Sequence, residues 1–541
     1  MPDTPLPESP TPDTEPTESA SPRVIPCSDP ATGESLGEVP VDDPRAVEKA
    51  IAAARRAQRE WSRTSFAERR RVLRHLLDQL LAQADDLCAA ICRDTGKTLH
   101  HAMIGEIWPI AEKLRWTLDH GETHLRPEPV RSGVLVHKRA RVEFQPLGVI
   151  GVIAPWNVPL QNILGPAVPA LFAGNACIVK VSEWTAWSVA PFRAFLRRCL
   201  ADCGHSPDLI QLLNGYAETG QALIRGGVDK IVFTGSARNG RAVMATAAET
   251  LTPVILELGG KDPLIVCDDA DLEQAANAAA CGAFIGSGQT CLAAERVLVF
   301  DRVHDDFAMR VQDIALRLRQ GAPLQGKLVD IGAMTMPAQV DHVAELVEDA
   351  LEKGARLLAG GKRAKRKKSK HYFEPTVLTE VTPAMRIMHE ETFGPVVAIA
   401  RVANEAEAVR VANDTEYGLS AAVYTKSRAR GRRIAHELVA GSACINDWAV
   451  MYMVQDLPFG GVKASGFGRL NGRDGLRACT NPKSVIEDRL PLYPVPSLFP
   501  GRRYDYEVVR AGVRLFYGKG VNAKIGAARE LGQALLRRAK S

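Results

Sequence analysis

Between Phe144 and Val179 the chain carries no charged residue. An uncharged run of that length is buried either in lipid or in a protein core. Proline decides between the two: Pro146, Pro155, Pro159, Pro166 and Pro169 would break a spanning helix repeatedly. The pieces Leu147–Ile153 and Ala176–Val181 instead read as short strands buried on both faces of a parallel sheet, so no membrane span is expected.

The segments around this run alternate in type. Ala46–Trp61, Phe66–Asp94, Ala186–Cys203 and Arg238–Thr250 have helical composition, and Asp229–Phe233 and Leu264–Val266 read as strands. A second alternating set starts with a strand at Arg296–Val299. It continues through helices at Val303–Arg319 and Pro337–Lys353 to strands at Ala421–Tyr424 and Ala443–Asn446. The pattern predicts an α/β protein with two doubly wound lobes. With 541 residues, 46% apolar and 24% charged, the chain can bury several cores, and a disordered or fibrous protein is excluded.

The net charge of +5 is too small to signal nucleic-acid binding, and none is expected. Charge is concentrated in two places. Lys362–Lys370, KRAKRKKSK, has seven bases in nine residues and reads as a solvated surface loop, with a patch for anionic partners as the alternative. Gly501–Ser541 has ten bases and three acids, and Lys524–Lys540 sets Ile525, Leu531, Leu535 and Leu536 beside arginines as a basic amphipathic helix. Packing on its own protein is the plainer use of that helix; weak contact with an anionic membrane is the other. Residues 1–22 are rich in Pro, Ser, Thr and acids and read as a disordered tail without an export or organelle signal. Eleven cysteines without a CxxC pair indicate a reducing compartment, and a cytoplasmic location is expected.

Three residues carry candidate chemistry. Cys291, in GSGQTCLAAER, follows a Gly-rich entry into a segment of helical composition, where helix N–H groups would stabilise a thiolate. A small buried hydrophobe is the alternative for any lone cysteine. Glu257 ends the apolar run Pro253–Leu256, where burial would raise its pKa toward the range of a general base; an ion pair with Lys261 is the alternative. Asn157, in APWNVPL, offers a neutral donor to a developing oxyanion, or simply makes a turn. No GxGxxG is present. A strand to Phe233, the turn Thr234-Gly235-Ser236 and a helix with Gly240 in its first turn could set a diphosphate near a helix N-terminus. Lys180 and Glu183, in KVSE, could grip a ribose, with the carboxylate repelling a 2′-phosphate and so favouring NAD over NADP.

The motifs APWNVPL, KVSE, FTGSARNG, ELGGK, GQTCLAAER, EETFGPVV and LPFGGVKASGFGR follow one another in an order and spacing that resembles the aldehyde dehydrogenase superfamily over about residues 24–490. The segment GLRACTNPKSVIEDR further resembles a C-terminally extended subgroup of plants and fungi. The resemblance implies an NAD-dependent, non-acylating enzyme that oxidises an aldehyde to its acid. Cys291 would be the nucleophile, Glu257 the general base, and Asn157 the oxyanion donor with the Cys291 N–H. Lys180 and Glu183 match adenosine-ribose contacts, Ser236 a diphosphate contact, Glu391 and Phe393 a nicotinamide-ribose grip, and Pro155 and Trp156 the wall of the cofactor channel. Phe233, Gly235, Gly240 and Leu258 complete the cofactor set, and no metal is implied. Val181 and Ala217 depart from the family pattern and leave the fine cofactor geometry open.

By the same resemblance, 23–127 and 149–258 form an NAD-binding domain, 259–477 a catalytic domain, and 128–148 with 478–491 small oligomerisation strands of a homodimer or homotetramer. Residues 492–541 are a basic C-terminal extension. Trp448, Tyr452 and Phe459 line a substrate tunnel or belong to the core, and an apolar tunnel would favour aliphatic or aromatic aldehydes. A catalytically idle scaffold, or a membrane-surface protein using the basic loop and extension, is the competing reading.

Overall fold

The uncharged run folds as a strand, a helix and a strand: Val149–Ile153, Pro159–Phe172 and Ala176–Lys180. Both strands are buried almost throughout, as a two-sided parallel sheet requires. The helix corrects one expectation, because Pro159 opens it and Pro166 and Pro169 lie inside it. Nearly all of its side chains are buried, and that packing outweighs the amide donors lost at the prolines. Its 14 residues are too few to cross a bilayer. Among the described residues no helix is long and apolar enough to do so.

The structure, a computed structural model, describes residues 24–364, 369–490 and 499–540. The tail expected over 1–22 and the centre of the basic loop, 365–368, lie outside the described residues. One compact unit comprises Met1–His124 with Pro146–Thr480. It holds a two-stranded antiparallel sheet, Val24–Ser28 with Ser35–Pro40, and two large sheets. The first has six strands in the spatial order Gly466–Phe467, Val254–Leu258, Lys230–Gly235, Val149–Ile153, Ala176–Lys180 and Ile210–Leu213, parallel except for the first pair. The second has seven, in the order Arg356–Ala359, Thr376–Thr379, Val396–Val402, Ala294–Phe300, Asp262–Val266, Ser420–Tyr424 and Ser442–Ile445, again parallel except for one edge pair. Helices between the strands make both sheets doubly wound, the α/β architecture expected.

The second unit, Leu125–Gln145 with Asn481–Ser541, contains a three-stranded sheet in the order Thr480–Asp488, Lys138–Pro146, Glu128–Val130. It also contains the helices Asp505–Tyr517 and Val521–Ala539, the latter covering the predicted basic helix with an earlier start. The predicted helical run Phe66–Asp94 is in fact two helices, Phe66–Ala82 and Ala84–Thr95, separated at Gln83. All eleven cysteines are free thiols.

Arg296 holds the seven-stranded sheet to its surroundings from the inside. Its side chain is 1% exposed and donates to three carbonyls: Lys261 O (2.9 Å), Val411 O (2.9 Å) and Ala412 O (2.7 Å). Arg296→Met keeps the volume and strands those acceptors, so a loss of roughly 3 kcal/mol or more is expected in denaturant unfolding. A loss below about 1 kcal/mol would show that the three bonds are replaceable.

Candidate active site

In the six-stranded sheet the chain leaves Val149–Ile153 toward one edge and returns on its other side with Lys230–Gly235. That reversal is a topological switch point, and the crevice beyond the carboxyl ends of such strands is where open α/β sheets bind ligands. A cavity of about 2130 Å³ opens there. Its wall includes Pro155, Trp156, Asn157, Lys180, Glu183, Phe233, Gly235, Ser236, Glu257, Leu258, Cys291, Glu391 and Phe393, so every residue singled out from sequence except Gly240 meets in one place. Gly240 lies just behind: a Cβ there would sit 2.7 Å from the Leu258 side chain, so glycine lets its helix close onto the strand end.

Glu257 comes from the buried end of Val254–Leu258 and is 3% exposed. Burial pushes its carboxyl up to about 7, partly offset by the Cys291 thiol and the Thr234 hydroxyl beside it. Its Oε1 has no hydrogen-bond partner. The alternative pairing with Lys261 does not occur: Lys261 Nζ donates to Glu295 and to Thr392 Oγ1 (2.9 Å). Cys291 differs from its expected setting. No helix begins there; the chain passes from the turn at Ile285–Gly288 through Cys291 into the strand Ala294–Phe300. Burial and the neighbouring carboxyls, Glu257 foremost, hold the thiol well above its ordinary range. A helix N-terminus therefore does not stabilise a thiolate at Cys291.

Asn157 is aimed by residues that carried no sequence signal. Its Nδ2 donates to Gln289 O (3.1 Å), in the loop leading to Cys291, and its Oδ1 accepts from Asn162 Nδ2 (3.2 Å). Lys97 Nζ donates to the Asn157 carbonyl (2.5 Å) and to Glu106 Oε1 (2.8 Å), a buried ion pair that fixes the backbone of the turn. Trp448 Nε1 donates to Leu292 O (2.7 Å) and pins the chain just after Cys291. Trp448, Tyr452 and Phe459 all lie on the cavity wall, and the Tyr452 and Phe459 rings meet edge to face at 4.8 Å.

The other end of the cavity has the shape and polarity of a dinucleotide site. Ser236 caps the helix Ala237–Glu249, accepting from Asn239 N (3.2 Å), and that helix opens onto the cavity at Arg238 and Asn239. Lys180 and Glu183 form an ion pair at 3.6 Å at the end of their strand. Gly235 leaves room for the Phe233 ring, 2.7 Å from where its Cβ would be. Glu391 rests against the Gly259-Gly260 turn, accepting from Gly260 N (3.1 Å), and burial with nearby Glu295 pushes its carboxyl well above the usual carboxylate range. Glu295 in turn accepts from Thr392 N (2.8 Å) and Phe393 N (2.9 Å). These bonds hold Phe393 at φ 46°, its ring edge-on to Trp156 at 5.5 Å. Asn162 is a positioning residue whose loss is measurable: Asn162→Leu frees the Asn157 amide to turn and should lower kcat about ten-fold with little change in the KM for cofactor. Unchanged kcat would mean that Gln289 alone aims the amide.

The sequence matches the aldehyde dehydrogenase family over residues 17–485. An aldehyde dehydrogenase-like protein of Schizosaccharomyces pombe is 40% identical over 467 residues, covering 86% of this chain and 89% of its own length. A betaine aldehyde dehydrogenase of Staphylococcus aureus, solved in complex with NAD+, superimposes with a TM-score of 0.80 at 30% identity over 87% of this chain and 95% of its own. An NADP-dependent enzyme of E. coli does so with a TM-score of 0.81 at 34% identity over 86% and 95%. The chain therefore belongs to the aldehyde dehydrogenase family and is an NAD(P)-dependent oxidoreductase.

Proposed function

We propose that the protein oxidises apolar aldehydes to carboxylic acids with NAD as the preferred cofactor, through an acyl group carried on Cys291. The observation that carries this reading is the buried Glu257 carboxyl, poised near neutrality beside the Cys291 thiol with one oxygen unpartnered. Glu257 takes the thiol proton as sulfur adds to the aldehyde carbon. The carbonyl π electrons move onto oxygen, where Asn157 Nδ2 and the Cys291 N–H stabilise them. Asn157 must release Gln289 O to do so. A nicotinamide held by Glu391, Phe393 and the Pro155–Trp156 wall supplies the hydride acceptor when bound. As the oxyanion collapses, the C–H bond of the former aldehyde breaks, its hydrogen leaves as hydride to that acceptor, and the acyl group rests on sulfur as a thioester. Glu257 then releases the thiol-derived proton to solvent, takes a proton from a water as its oxygen attacks the acyl carbon, and returns that proton to the departing Cys291 sulfur. Lys180 and Glu183 would receive the adenosine ribose hydroxyls, and the Glu183 carboxylate disfavours a 2′-phosphate.

The preference for apolar substrates follows from the cavity wall, which includes Ile104, Trp108, Val450, Met453 and Phe459, the last in one apolar cluster with Cys291. The cations on the cavity wall are poorly placed for a second carboxylate. Lys113 donates to Asn471 Oδ1 (2.6 Å), Lys180 is paired with Glu183, and Arg238 belongs to the helix that would face diphosphate. Burial lowers His101 to about 4, so it is neutral. Aliphatic or aromatic aldehydes should exceed succinate semialdehyde by about ten-fold or more in kcat/KM, and the reverse order would refute the apolar assignment.

The three-stranded sheet exposes Val130 and Ile486, and Leu490 is exposed just beyond its strand Thr480–Asp488, which suits burial by a second copy in a homodimer or homotetramer. Free thiols throughout suit a reducing cytoplasm.

Cys291→Ala should abolish NADH formation, and Glu257→Gln should lower it about 10²- to 10⁴-fold. An idle scaffold would instead give no NADH in the wild type while still binding cofactor. Glu257→Gln has a second signature. The folded-state pKa is raised from 4.5 to about 7, so the folded protein carries a cost that is absent below the unfolded value and complete above pH 7. The substitution should therefore raise stability at pH 8, by up to about 3 kcal/mol, and leave it unchanged near pH 4.5. Destabilisation at pH 8 would mean that the carboxylate is paired.

A further inference from the structure

The C-terminal helices Asp505–Tyr517 and Val521–Ala539 pack together through a small core of Val508, Ala511, Ala527 and Ala534. Their acids pair with arginines across the hairpin: Asp505 with Arg538 (2.5 Å), Glu530 with Arg514 (3.2 Å) and Glu507 with Arg537 (4.0 Å). The first helix has a second apolar face. Tyr506, Val509, Val513, Phe516 and Tyr517 recur at steps of three and four residues, on the side away from Val508 and Ala511, and all are exposed, Tyr506 at 75% and Phe516 at 56%. On the second helix Val521, Ile525, Leu535 and Leu536 are exposed in the same way beside the buried alanines. Cations border these stripes: Arg510 lies over the Tyr506 ring at 5.8 Å, and Lys524 and Arg529 flank Ile525 along the chain. Residues 501–541 hold ten bases against three acids.

We propose that this helical hairpin docks the protein, lying in the plane of the surface, on an anionic lipid bilayer. The stripe Tyr506, Val509, Val513, Phe516 and Tyr517 of the first helix enters the boundary between headgroups and acyl chains, and the bordering lysines and arginines meet lipid phosphates. Charge selects this occupant. A second copy would bring the same excess of bases to the contact and repel it. An anionic polymer would use the cations and leave the two apolar stripes in water. The inference stands apart from the catalytic reading, and neither fails with the other.

The test is flotation of the full chain with phosphatidylcholine vesicles and with vesicles of phosphatidylcholine and phosphatidylglycerol in equal parts. Two variants accompany the wild type: Val513→Asp with Phe516→Asp, which breaks the apolar stripe, and Arg510→Gln with Lys524→Gln and Arg529→Gln, which keeps it. The wild type should float with the anionic vesicles, and binding should fall roughly ten-fold without phosphatidylglycerol and in each variant. NADH formation from a water-soluble aldehyde should be unchanged in both. Absence of wild-type flotation, or equal flotation of the stripe variant, would overturn the proposal. A change of oligomeric mass in the stripe variant without wild-type vesicle binding would also overturn it and assign the face to a second copy.

Discussion

A carboxyl group buried beside a thiol with no cation of its own is the constraint on which the rest of the site depends. Water would solvate Glu257 well, and the end of a fully buried strand does not, so its proton is retained until about neutrality. A nearby ammonium would undo this, and Lys261 is four residues away in sequence. The fold removes it by giving Lys261 a partner in Glu295 and a hydroxyl in Thr392. Glu295 then has a second task, because its oxygens also hold the amides of Thr392 and Phe393 and so shape the loop that carries Glu391. One buried pair thus protects the basicity of Glu257 and builds the far wall of the cofactor crevice.

The same economy appears at Asn157. The ion pair of Lys97 with Glu106 is fully buried, an arrangement that stabilises little by itself because desolvation offsets the attraction. Its use is positional. Lys97 also reaches the Asn157 carbonyl, and Glu106 Oε2 accepts from Leu160 N (2.8 Å), so the turn that presents the amide is held from two sides. Asn162 and Gln289 then fix the orientation of the amide, its Nδ2 toward the loop that leads to Cys291. Few of these atoms move if the site is preorganised, which is how a neutral donor becomes effective against a developing oxyanion.

Much of this was legible in the sequence because it is local. Uncharged runs mark strands buried on both faces, and the residues after those strands, Asn157, Glu183, Ser236 and Glu257, fall at the carboxyl ends where a doubly wound sheet opens. What the sequence hid is long-range. Lys97 meets Asn157 across sixty positions, and Trp448 reaches Leu292 across 156, with no periodicity to announce either contact. Local composition also misled at two places. The segment after Cys291 has helical residues, yet Gly286, Ser287 and Gly288 adopt left-handed conformations, and a Cβ on Gly288 would lie 2.1 Å from Gly394 O. The turn is set by that close approach, and the residues beyond it join the central sheet. Pro166 and Pro169 suggested breaks where burial sustains a helix.

In the proposed reaction the Cys291 proton is held until Glu257 can accept it, and the rate of Cys291 alkylation by iodoacetamide as a function of pH tests this directly. Mass spectrometry distinguishes this thiol from the ten others. The account predicts slow alkylation at pH 6, a rise through about pH 7 as Glu257 ionises, and loss of that rise in Glu257→Gln. Fast alkylation at pH 6 that is indifferent to Glu257→Gln would show a pre-formed thiolate and contradict it.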